Sequence, residues 1–151
     1  MNVLKENNYI EKIQSYSEQD WKPLLELIPQ IEKVNKFGDD AEAMKLLEKG
    51  IIDMNPYEEH EIVQQFRDVV YAIPIMIDFD WGCWDEGRKM VSDDNFDYDS
   101  IDIPTKCKII TAIVRNDRFC SGALVGAFES GMMLKVLKSI QKQLEYGIPT
   151  E

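Results

Sequence analysis

Residues 105–137 read TKCKIITAIVRNDRFCSGALVGAFESGMMLKVL, the most apolar long stretch of the chain. Asp102 and Pro104 stand just before and inside its start. An Asp at an N-cap accepts an orphan amide, and a Pro in the first turn lacks an N–H that would have no partner anyway. Successive residues of a helix turn by about 100°. Lys108, Thr111, Arg115 and Arg118 then share one stripe roughly 80° wide. Cys107, Ile109, Ile110, Ala112, Ile113 and Val114 fill most of the remaining surface. A helix apolar over most of its circumference packs on several sides. The pattern therefore predicts a central helix over 104–118 with a single polar seam. Asp117 falls opposite that seam and needs a partner of its own.

Downstream, 121–130 predicts a short helix with small residues in two rows. One row is Gly122, Gly126 and Ser130; the other is Ala123, Ala127 and Gly131. Each glycine inside a helix costs about 1 kcal/mol relative to alanine. Close approach of another backbone would explain that cost, so Gly126 is expected at a tight helix contact. Leu124 and Phe128 are the anchors. Gly131 reads as a helix end, followed by a last helix over 132–144 with Met133, Val136, Leu137, Ile140 and Leu144 inward.

Upstream, Val3, Leu4, Ile10 and Ile13 suggest a first helix within 1–16. Ser17 with Asp20 forms a capping pair, so a helix begins near Glu18. Leu24, Leu27, Ile28, Ile31 and Val34 keep helical spacing, with Pro29 expected to kink or split the element. Asp40 to Gly50 reads as a further helix, and 50–56 allows a minor short strand. Ile62, Phe66, Val69, Val70 and Ile73 predict a helix over 58–76 ended by Pro74. Residues 75–102 are the least regular and read as a long acidic loop. The fold expected is all-α: one compact domain over 1–151, with about six or seven helices around the central one.

The composition is that of a soluble protein: 44% hydrophobic, 30% charged, net charge −11. Residues 104–144 carry a net charge of +5 and residues 1–103 a net charge of −14. So acidic a chain is a poor general DNA binder, because phosphate neutralisation needs a basic footprint. No apolar run approaches a membrane span, and no signal region opens the chain. Three cysteines without CxxC spacing (Cys83, Cys107, Cys120) fit reduced thiols in the cytoplasm.

The run from Thr105 through Arg115, Asp117, Arg118, Phe119, Gly122, Leu124, Ala127, Glu129 and Gly131 to Leu137 follows the pattern RxDRFxxGxL with flanking positions. It is preceded by FDWxxW at Phe79, Asp80, Trp81 and Trp84, and by a weaker match at Pro56, Tyr57 and Phe66. This pattern resembles a bacterial domain-of-unknown-function family, family 6508. The resemblance covers roughly the last two thirds of the chain and implies no activity.

The cluster singled out as a binding or structural site comprises Arg115, Asp117, Arg118, Glu129, Asp80, Trp81 and Trp84. Two arginines at i, i+3 can grip one planar anion. Buried and half-buried arginines more often form a salt-bridge hub, here with Glu129 or Asp80, and that is the expected outcome for at least one of the two, Arg118 foremost. Trp81 and Trp84 can stack on a ligand or pin a loop onto the core. Asp93, Asp94, Asp97, Asp99 and Asp102 lack the glycine and terminal Glu of a calcium loop. His60, the only histidine, reads as a surface residue at a helix start. No nucleophile elbow, phosphate loop, metal set or cofactor motif is present. Two readings result. One is a non-catalytic binding or interaction module, self-associating as a homodimer or taking a protein partner or small anion. The other is a small enzyme on a phosphorylated or nucleotide-like substrate, using Arg115 and Arg118 with Asp80 and Trp81. The absence of a catalytic pattern favours the first.

Overall fold

In the computed structural model, residues 3–39, 58–119 and 122–146 are described. The expected helix over 40–50 and the short strand near 50–56 lie outside them. The all-α expectation holds. The first helix, α1, is Val3–Gln14. Helices α2, Glu18–Leu25, and α3, Leu27–Glu32, follow. Asp20 closes the start of α2 by accepting the Ser17 N–H at 2.9 Å. The break between α2 and α3 falls at Glu26, three residues before Pro29. The proline ring acts on the carbonyl four residues earlier, so the interruption appears upstream of the residue that causes it.

A two-residue antiparallel ladder joins Gly38–Asp39 to Glu58–Glu59, with Gly38 opposite Glu59. Helix α4, Glu61–Ala72, starts later than the periodicity suggests, because His60 is its N-cap and its Nδ1 accepts the Ile62 N–H at 3.1 Å. Residues 75–102 are not one loop. They contain a 3-10 turn at Trp81–Cys83, a helix α5 at Asp85–Ser92 and a second 3-10 turn at Tyr98–Ser100. Helix α5 is short, and charge conceals its amphipathic pattern.

The central helix is α6, Ile103–Asn116. Asp102 caps it, accepting the Thr105 N–H at 2.8 Å. It packs against α1, the Trp81–Cys83 turn, α7 (Ala123–Glu129) and α8 (Met132–Tyr146). Ile109, Ile110, Cys107 and Val114 are buried. Two residues of the polar seam, Thr111 and Lys108, are taken up by packing. Thr111 is fully buried: its Oγ1 donates to the Cys107 carbonyl at 2.7 Å and accepts the Ile77 N–H at 3.0 Å. This fixes the extended stretch Ile75–Phe79 to α6. Lys108 reaches Glu6 of α1 at 2.8 Å, and its Nζ lies over the rings of Phe79 and Trp84.

Gly126 corrects the sequence reading. An added Cβ there would meet nothing within 4 Å, and the residue is exposed. The rows of small residues on α7 thus do not seat a neighbouring backbone at Gly126. The backbone roles belong to Gly122 and Gly131, with φ of 96° and 83°, at the two ends of α7.

Candidate functional site

The charged cluster of the RxDRF segment does not assemble into one site. Asp117 follows the last turn of α6 and is taken by structure. Its Oδ2 lies 2.6 Å from Arg67 Nη2 of α4, and its Oδ1 accepts the Leu124 N–H at 3.0 Å. One carboxylate thus ties α6, α4 and the start of α7 together. Glu129, at the end of α7, accepts the backbone N–H groups of Phe37 at 2.9 Å and Gly38 at 3.4 Å. Its carboxylate is spent on the approach to the ladder, beside the stacked rings of Phe37 and Phe128. The ion pairs anticipated between the arginines and Glu129 or Asp80 do not form among the described residues. Arg118 is exposed and meets the Tyr71 hydroxyl at 3.5 Å. Arg115 is half-buried, with a buried Nε that has no hydrogen-bond partner among the described residues.

The aromatic half of the cluster does assemble. Trp81 and Trp84 line a groove of about 180 Å³ between the Trp81–Cys83 turn, α5 and α6. Val91, Ala112 and Ile113 make its apolar walls, and Arg88 and Asn116 are its polar edges. The local order has clear causes. Trp84 packs edge-on against Phe79, with ring centroids 5.4 Å apart. Its indole also covers Gly87, where a Cβ would come within 2.2 Å of the ring. A side chain on α5 at this position would collide, so glycine is what brings the indole onto the helix backbone. Arg88 closes the turn by donating to the Gly82 carbonyl. Asp80 hydrogen-bonds the exposed Cys83 thiol and holds its pKa above the ordinary value. That thiol is therefore less nucleophilic at neutral pH than a free one.

Phe119 stands at the Trp81 end of the groove. Its ring centroid is 6.2 Å from that of Trp81, and the residue is 81% exposed. Val91 is also exposed. Among the described residues no group of His, Cys, Asp and Glu is arranged to hold a metal ion. No helix there is long and apolar enough to cross a membrane.

Lys106 carries no signal in the helical pattern that sets it apart from a surface lysine. It is fully buried, 0% exposed, and its Nζ has no hydrogen-bond partner among the described residues. Burial lowers its pKa to about 8, against the attraction of Asp99 and Asp102. Nearby, Asp99 accepts from the Ser139 hydroxyl and from Lys142 Nζ at 2.9 Å, which hold its carboxyl below the ordinary range. Gln143 donates to the carbonyls of Asp99 and Ile101, at 3.2 and 2.9 Å. The Tyr98–Ser100 turn is clamped to α8 in this way.

Fold and site together define an all-α domain that presents an aromatic groove beside an exposed phenylalanine. The chain belongs to a family of unknown function, DUF6508, whose model matches residues 16–146. No curated protein and no solved structure matches it.

Proposed function

We propose that the protein is a non-catalytic interaction module that self-associates through the aromatic groove. The observation that carries this reading is the placing of Phe119 beside the groove. An aromatic ring 81% exposed is an unfilled anchor, and the groove beside it is an unfilled receptor. A two-fold axis lets each copy supply both, since an isologous interface places the same patch on both sides. Aromatic anchors in apolar pockets dominate the energy of such contacts. The rim supports the same pairing. Arg88 lines the groove as an exposed cation, 3.6 Å from Asp85, and Asp80 and Glu86, close by in sequence, are exposed carboxylates. Reciprocal pairing of these groups offsets the repulsion between two chains of net charge −11.

The dispersal of the charged cluster points away from a reaction centre. Asp117 and Glu129 are engaged with Arg67 and with backbone amides, leaving no carboxylate of the RxDRF segment or α7 to act beside Arg115 and Arg118.

Sedimentation equilibrium tests the proposal on three chains. The wild type should dimerise. Phe119→Ser removes the anchor and Val91→Glu charges the receptor; each should raise the dissociation constant by about 30-fold or more. Both positions are exposed, so the monomer fold is expected to survive. A wild type still monomeric at about 1 mM, weaker than about 4 kcal/mol, overturns self-association. Dimerisation lost in Phe119→Ser but unchanged in Val91→Glu places the anchor elsewhere than in this groove.

A further inference from the structure

A second cavity, of about 280 Å³, lies between residues 96–99 and α8. Lys135, Lys138 and Lys142 line it at i, i+3 and i+7, hence on one helix face. Among the described residues each ammonium has one partner: Lys135 the Asp94 carbonyl at 3.3 Å, Lys138 the Glu32 carboxylate at 3.1 Å, and Lys142 the Asp99 carboxylate at 2.9 Å. An ammonium has three donors, so donors remain on all three. Ser139, 5% exposed, and Lys142 already hold one oxyanion here, the side chain of Asp99. The opposite wall carries the edge-to-face pair Phe96 and Tyr98, and the carboxylate of Asp97. Asp97 Oδ1 accepts the Asp99 N–H at 3.0 Å, and its second oxygen has no partner among the described residues.

The cavity therefore offers donors on one side and a carboxylate acceptor on the other. A pure acceptor anion such as sulfate satisfies the lysines and repels Asp97. Hydrogen phosphate, or the monoanion of a phosphomonoester, accepts from lysines and also donates its own O–H. We propose that this cavity binds a protonated phosphate group, with Lys135, Lys138 and Lys142 donating to its oxygens and Asp97 accepting its hydroxyl. The site is separate from the aromatic groove and does not depend on self-association.

Calorimetric titration at pH 6 and constant ionic strength tests it, with inorganic phosphate, phenyl phosphate and sulfate as ligands. Both phosphates keep a proton at this pH in substantial part. Phosphate should bind about tenfold or more tightly than sulfate, the worth of one charge-assisted hydrogen bond. The double variant Lys135→Ala/Lys138→Ala should lose about tenfold or more in phosphate affinity. Asp97→Asn keeps the acceptor for the Asp99 N–H but turns an amide donor toward the anion, so the preference for phosphate over sulfate should vanish. Tighter binding of phenyl phosphate than of phosphate would identify a phosphomonoester, seated on Phe96 and Tyr98, as the source; the reverse order would identify free phosphate. Equal binding of phosphate and sulfate by the wild type, no binding of either, or full affinity in the lysine double variant overturns the proposal.

Discussion

Lys106 shows at the scale of one residue how α6 departs from its helical pattern. An amine buried without a hydrogen bond is costly in its charged form. Its folded pKa of about 8 lies below the ordinary 10.5, so between these values the unfolded chain binds more protons. Stability should then rise as pH increases from about 8 toward 10.5. Lys106→Met removes the buried charge and should stabilise the protein at pH 7 by about 1–3 kcal/mol. That advantage should shrink above pH 8. Urea denaturation of both chains at pH 7, 8.5 and 10 checks this. A Met variant less stable at every pH would mean that the amine has a partner it needs. Asp117 is the opposite case. Its carboxylate meets Arg67 and the Leu124 N–H with both side chains largely buried. Asp117→Ala should cost about 2–4 kcal/mol in the same assay. A loss under about 0.5 kcal/mol, the range of ordinary surface changes, would show that the tie is incidental.

The contrast between Gly126 and Gly87 belongs to the scale of the element. Gly126 has the regular spacing, yet among the described residues nothing lies within 4 Å of where its Cβ would be. Gly87 sits in an acid-rich stretch without an evident period, yet it carries the close approach of Trp84. Gly126→Ala should stabilise by about 0.5–1 kcal/mol, by removing backbone freedom from the unfolded chain. Gly87→Ala should destabilise by about 1–3 kcal/mol and shift the tryptophan emission, because the indole must move. Thermal unfolding followed by circular dichroism and fluorescence separates the two; the reverse order of stabilities would contradict the packing described. The same scale explains what could be read from sequence alone. Helix ends marked by side chains close in sequence were legible, as with Asp102 and the Ser17–Asp20 pair. Helix α6 was legible because its apolar residues outnumber the rest. The partner of Asp117 was not, since Arg67 stands 50 residues away in another helix. Glu129 was read as a candidate for the arginines, but backbone amides took it, and no residue pattern announces an amide acceptor. Lys106 was hidden because one lysine among apolar neighbours resembles an ordinary surface position.

At the scale of the whole molecule, the core around α6 and the aromatic groove are two uses of one helix. Ile110 is buried in the core, Ile109 is buried yet lines the groove, and Ala112 and Ile113 are half-buried and form its walls. Ile110→Asp should abolish cooperative folding, because an unpaired buried charge costs several kcal/mol. A soluble, cooperatively melting variant would remove α6 from the centre of the account. The proposed interface rests on the remaining face, and its geometry can be read directly. The photoreactive analogue 4-benzoylphenylalanine at position 119 places the reporter on the anchor itself. Light and ¹⁵N-labelled chains would be mixed, irradiated and digested, and the crosslinked peptides identified by mass. The account predicts mixed-label crosslinks between position 119 of one chain and residues 81–91 or 109–116 of the other. Crosslinks within single chains only, or to any other surface of the second chain, would contradict it.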